Sequence, residues 1–142
     1  MFQLYRTVVG PAGSTRSPIV ILHGLFGSHK NWQTIAKALA ERTGRQVISA
    51  DLRNHGQSVQ FSKETGRPTG MPMTWNDMAQ DVGALLRDIP KPAVLMGHSL
   101  GGQVAMQTAL HTALDRLIIV DIAPKTADFR TSAMSRYLDA MI

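Results

Sequence analysis

Cysteine is absent from the 142 residues. Disulfide frameworks and cysteine-ligated metal sites are therefore excluded, although that count does not fix the redox compartment. No apolar run approaches the roughly 20 residues needed to cross a bilayer, and the opening Met1-Phe2-Gln3-Leu4-Tyr5-Arg6 lacks the charged-then-apolar order of a secretory signal. The expectation is a soluble intracellular protein with no stable membrane insertion. Dense charge is missing as well: 15 Lys and Arg against 10 Asp and Glu leave a net +5, but the cations are dispersed from Arg6 to Arg136. Without a basic block, nucleic acid is not an expected partner. The length suits one domain with a real core, not two.

What stands out among the residues present is Gly97-His98-Ser99-Leu100-Gly101-Gly102. It follows the apolar run Ala93-Val94-Leu95-Met96 and precedes Gln103 to Leu110, a stretch of helix-like composition. A G-x-S-x-G pattern between a strand and a helix is the setting of a nucleophile elbow. At so sharp a turn a side chain beside the serine would crowd neighbouring backbone, so glycine is favoured there. The serine hydroxyl would stand at the end of the strand, with a helix N-terminus beneath it to stabilise a developing anion.

The rest of the chain alternates strand and helix. Phe2 to Val9 is rich in β-formers and predicts a first strand, and Ile19 to Leu22 a strand buried on both faces. Trp32, Ile35, Ala36, Leu39 and Ala40 recur at helical spacing, with Gly44 as the stop. Gln46 to Ala50 predicts the next strand, and Phe61 to Met73 an exposed loop. Thr74, with Asp77 three residues on, would cap a helix that Pro90 must end. Leu117 to Val120 predicts another buried strand, and residues 127–142 permit an amphipathic helix. This order argues an α/β domain with a parallel sheet, whose ligands bind beyond the C-terminal ends of the strands. His23-Gly24, Asp51, Ser99 and Asp121 all fall at such ends. Four separate stretches thus converge on one rim.

Acyl transfer by a serine needs a base, usually a carboxylate to orient it, and donors for the oxyanion. Ser99 is the candidate nucleophile; the bland reading is a turn serine. The Leu100 amide is one expected oxyanion donor, and the second is sought in the loop after His23, at Leu25 or alternatively Phe26. Asp121 could orient a base or could simply be a solvated or capping aspartate. Asp51, followed by Leu52-Arg53-Asn54-His55-Gly56-Gln57-Ser58, reads as a turn organiser. The base is what the chain lacks. In this architecture it follows the serine and the acid, and the only histidine after Ser99 is His111, about 18 Å along the elbow helix. His98 should leave the turn in another direction, His23 and His55 belong to rim loops, and His29 has no assigned role.

Taken together, His23-Gly24-Leu25-Phe26-Gly27-Ser28, Asp51 to Ser58, Gly97 to Gly102 and Val120-Asp121-Ile122-Ala123-Pro124 resemble the α/β-hydrolase superfamily in its esterase branch. The resemblance is greatest to the α/β-hydrolase domain-containing protein 11 type. It implies an α/β-hydrolase fold, a mostly parallel sheet with flanking helices, of which residues 1–142 form the N-terminal portion of a single domain. Residues 127–142 would begin the cap, the last strands and the catalytic histidine being absent. It implies Ser99 as nucleophile, Leu25 and Leu100 amides as the oxyanion hole, and Asp121 as the one acid position present in the chain. The implied reaction is hydrolysis of a small-molecule carboxylic ester or thioester through an acyl-enzyme, with no metal and no organic cofactor. A cytoplasmic or a mitochondrial location would both suit such a protein. The alternative from another class is a non-catalytic binding or regulatory module derived from a hydrolase.

Overall fold

Ile19 to Leu22 and Val47 to Ala50 are short runs rich in β-branched side chains and free of charge, with Ser49 the one polar residue, so they suit strands whose two faces are both covered. A computed structural model, which describes residues 2–59, 69–71 and 73–123, buries every one of these positions. The five strands are β1 (Arg6–Val9), β2 (Ile19–Leu22), β3 (Val47–Ala50), β4 (Val94–His98) and β5 (Arg116–Val120), in the sheet order β1-β3-β2-β4-β5. From β3 to β5 every pairing is parallel, and β1 alone runs antiparallel, against β3. The fold is α/β, with the mostly parallel sheet and flanking helices that the alternating pattern implies.

The helices α1 (Gln33–Thr43), α2 (Trp75–Arg87) and α3 (Leu100–Ala109) begin and end for local reasons. Gly44 closes α1 in the left-handed conformation, its N–H donating to the Ala40 carbonyl at 2.9 Å. Thr74 caps α2, its hydroxyl accepting the Asp77 N–H at 3.1 Å. Ahead of α1, His29–Trp32 forms a short 3₁₀ turn with a capping box between Ser28 and Asn31. Alternation along the strands then divides the core. Val20, Leu22, Ile48 and Leu95 pack with α2 and α3 on one face, while Ile19, Ile21, Val47 and Val94 pack with Ala36 and Ala40 of α1 on the other. Burial of each such large side chain is worth about 1.5–3 kcal/mol.

Two expected strands differ from the structure. The first is shorter than Phe2 to Val9 because Tyr5 is claimed by a loop: its N–H donates to Ser58 Oγ at 2.9 Å and its carbonyl accepts the Asp51 N–H at 2.9 Å. The strand expected to be buried from Leu117 is instead open, with Leu117 39% and Ile118 42% exposed. Among the described residues β5 pairs only with β4, so its apolar side chains have cover on one flank alone. The helix expected over 127–142 lies outside the described residues, as does most of the loop expected over 61–73. No helix among the described residues is long and apolar enough to cross a membrane.

Candidate active site

Because β2 to β5 are parallel, their C-terminal ends share one edge. The register sets Leu22 beside both Ala50 and Gly97, and His98 beside Val120. His23, Asp51, Ser99 and Asp121 therefore each leave the sheet at its last rung, on one rim.

Ser99 sits at φ 51° and ψ −115°, a conformation that costs a residue with a β-carbon on the order of 1–3 kcal/mol. Its surroundings impose it. The Ser99 N–H donates to the Val120 carbonyl at 3.0 Å, and the Ser99 carbonyl accepts the N–H groups of Gly102 at 2.9 Å and Gln103 at 3.1 Å. The next turn of chain passes so close to the sheet that a methyl group on Gly101 would stand 2.5 Å from the His23 carbonyl oxygen and 2.6 Å from that of Leu22. Neither oxygen can yield, since they belong to the buried last residue of β2 and the buried residue that follows it. We expect Gly101→Ala to cost about 3 kcal/mol in urea unfolding; a loss below about 1 kcal/mol would contradict this account of the turn.

Two backbone N–H groups bear on the expected oxyanion hole. Among the described residues, neither the Leu25 nor the Leu100 amide donates to a protein acceptor. Leu100 begins α3, so its N–H belongs to the unsatisfied first turn and points with the positive end of the helix dipole. Leu25 follows Gly24, where an added methyl group would stand 3.4 Å from Ser99 Cβ, and its side chain packs on the core shared with α2 and α3. Phe26, at φ 59°, is 63% exposed. Asp121 also has a positive φ, 56°; its side chain is 85% exposed, with Oδ2 3.9 Å from His98 Nε2.

Beneath the rim lie three histidines whose roles were only partly legible. His23 Nε2 accepts the Leu52 N–H at 3.0 Å, which fixes the proton on Nδ1, from where it is donated to the Gly24 carbonyl at 2.7 Å. Both ring nitrogens are thus used, and burial pushes the His23 pKa down to about 4. His29 joins Asp51: its backbone N–H donates to Oδ1 at 2.5 Å, its Nδ1 lies 2.9 Å from both carboxylate oxygens, and Gln57 N–H donates to Oδ2 at 2.8 Å. Asp51 is therefore the turn organiser that its sequence context suggests. His55 Nδ1 donates to the Arg53 carbonyl at 2.9 Å and its ring lies 5.0 Å from that of His23. Burial lowers the His55 pKa too. His111 follows the far end of α3, away from Ser99.

A pH dependence follows from these histidines. The unfolded chain takes up a proton on His23 near pH 6.5, whereas the native protein resists until about pH 4. The His23 contribution to stability is fully present above pH 6.5, falls as the pH drops from 6.5 to 4, and is gone below. The His23 contribution is about 3 kcal/mol, with His55 adding in the same direction. Urea midpoints measured across that range should fall steadily; a midpoint that does not move between pH 7 and pH 5 would contradict it.

The profile described as "Alpha/beta hydrolase family" matches residues 19–141, from β2 through the whole rim. The chain belongs to the alpha/beta hydrolase family. Within that family it is similar to the sn-1-specific diacylglycerol lipase ABHD11 of Danio rerio, 41% identical over 140 residues, which are 96% of this chain and 40% of the relative. The ABHD11 of Xenopus laevis is 44% identical over 121 residues, 83% of this chain and 34% of that one. Among solved structures, a "Marine microorganism esterase" superposes with a TM-score of 0.74 at 30% identity, covering 96% of this chain and 48% of that one. This alpha/beta hydrolase chain thus spans between about a third and two fifths of the length of the curated relatives it matches.

Proposed function

We propose that the protein to which this chain belongs is a serine hydrolase that cleaves a carboxylic ester or thioester through an acyl-enzyme. The observation that carries this reading is the backbone of Ser99, held at φ 51° between β4 and α3 on the rim where four strands end. In the reaction, Ser99 Oγ attacks the acyl carbonyl and its proton passes to a base. The carbonyl oxygen gains negative charge and is met by the N–H groups of Leu25 and Leu100, after which the alcohol or thiol departs with a proton and water releases the acid.

None of the five histidines in the chain suits the role of base. His23 has both nitrogens engaged, His29 is bound to Asp51, His55 lies buried against His23, His111 is at the wrong end of α3, and the His98 ring lies against Gly24. We assign the base to a histidine outside this stretch, consistent with the greater length of the relatives. Of the two rim carboxylates, Asp51 is engaged by His29 and Gln57, which leaves the exposed Asp121 as the one offered to orient that base. The 142-residue chain alone is accordingly expected to hydrolyse p-nitrophenyl esters barely above background. The names of the ABHD11 relatives make a diacylglycerol ester the first substrate to try on the full-length protein.

Labelling with a fluorophosphonate probe tests the assignment. The full-length protein should be labelled and its Ser99→Ala variant should not. Absence of labelling in the parent protein, or equal labelling of the variant, would overturn it.

A further inference from the structure

The residue before the nucleophile has a job that its place in the motif does not announce. His98 ends β4, its backbone fixed opposite Val120 in the ladder with β5. Its ring then lies against Gly24, where an added methyl group would stand 2.9 Å from Nδ1 and 3.3 Å from Cε1. On another side the ring meets Trp32 edge-on, the centroids 6.0 Å apart. Gly24 opens the loop that carries Leu25, and Trp32 ends the 3₁₀ turn that closes it. Between those two ends the loop is tied by the Gly27 N–H donating to the Gly24 carbonyl at 3.0 Å and by the Ser28 N–H donating to Asn31 Oδ1 at 2.7 Å. The imidazole is therefore wedged between the start and the end of one short, internally braced loop. A third contact is the Asp121 carboxylate, 3.9 Å from Nε2. The remaining side is open, on a cleft of 290 Å³ shared with Leu25, Trp32 and Ile35, so the ring is held by its contacts and not by enclosure.

We propose that His98 is a positioning residue, whose wedged ring sets the Gly24–Leu25 segment, and with it the Leu25 amide, at the separation from Ser99 that an oxyanion requires. This rests on the serine hydrolase reading above. The ring acts through shape. It makes no hydrogen bond among the described residues, and its neighbours on the loop are a glycine backbone and the edge or face of an indole. Removing the ring lets the loop drift toward the space it leaves. An oxyanion donor misplaced by about 1 Å costs on the order of 100-fold in rate, and it does so without weakening ground-state binding, because the donor acts on charge that appears only in the transition state.

The test uses the full-length protein, p-nitrophenyl butyrate and the fluorophosphonate probe. His98→Ala should lower kcat about 10- to 100-fold with KM within about threefold of the parent value. His98→Phe, which restores a ring of similar reach without a charge, should recover most of that loss. His98→Asn replaces the alanine variant if the latter does not fold, and should show the same loss. A kcat within twofold of the parent for the ring-less variants overturns the proposal, as does a His98→Phe variant no better than they are, which would assign the effect to imidazole chemistry. Labelling separates this outcome from the broader one: if the parent protein is not labelled at Ser99 the hydrolase reading fails, whereas a labelled parent with indifferent His98 variants removes the wedge alone.

Discussion

Ser99→Ala in the full-length protein will lower turnover of an activated ester by about 10⁴-fold or more, the largest effect expected of any single substitution in this stretch. In serine hydrolases, removal of the nucleophile costs up to about 10⁶ in kcat, and what survives is the contribution of the oxyanion hole and binding. Both donors proposed here are backbone amides, so the alanine variant keeps them, and substrate affinity should hardly change. Stability should hardly change either, since alanine has the same β-carbon and is forced into the same φ of 51°. Glycine at this position separates the two consequences. Ser99→Gly should be equally inactive yet more stable by about 1 kcal/mol, because glycine takes a positive φ without strain. Equal melting temperatures for the glycine and alanine variants would mean that the turn stores no strain. Turnover of Ser99→Ala within tenfold of the parent protein would remove the nucleophile assignment altogether.

How far the chain could be read in advance depended on whether the deciding interaction was local. The elbow was legible because its constraints are short-range: Gly97, Ser99 and Gly101 are dictated by a strand turning directly into a helix, and the flanking runs show both elements. The α2 cap was legible for the same reason, since Thr74 and Asp77 meet within one turn. Convergence of four strand ends on one rim could be inferred from alternation alone, because parallel strands admit no other arrangement. The roles of the histidines could not. The partner of His29 is Asp51, 22 positions away, and that of His23 is the Leu52 amide, 29 positions away. No periodicity signals such pairings, and only the crowding of His and Asp at strand ends hints at them. The exposure of β5 escaped for a different reason: Leu117-Ile118-Ile119-Val120 is as apolar as β2, and composition cannot tell a strand with two neighbours from one that, among the described residues, has a single neighbour.

A second interaction hidden in the sequence has the next largest expected effect. Arg53 and Asp81 lie 28 positions apart, and neither belongs to a motif that signals the other. In the structure Arg53 Nε donates to Asp81 Oδ2 at 2.7 Å, with side chains only 7% and 3% exposed. Arg53 also reaches the Asp77 carbonyl at 3.2 Å, so the guanidinium clamps the loop after β3 to the first turns of α2. That loop carries Asp51, which holds His29 and thereby the 3₁₀ turn that closes the Leu25 loop. Asp81→Ala takes from the buried guanidinium its nearer carboxylate, the Asp77 carboxylate standing farther off at 3.8 Å and 35% exposed. The expected loss is about 3–5 kcal/mol in urea unfolding, the range for removing one partner of a buried ion pair. The pair itself need not be worth that much, because desolvating two charges offsets most of their attraction. The double variant Arg53→Met/Asp81→Leu, which removes both charges at similar volume, should therefore be more stable than Asp81→Ala alone. If the double variant proves the less stable of the two, the clamp contributes through its hydrogen bonds to α2 and not through compensation of the buried charge by its nearer carboxylate. Comparing their labelling rates then shows whether a loop anchored on α2 is needed to keep the rim in its reactive form: with the loop released, Ser99 should react more slowly even in molecules that remain folded.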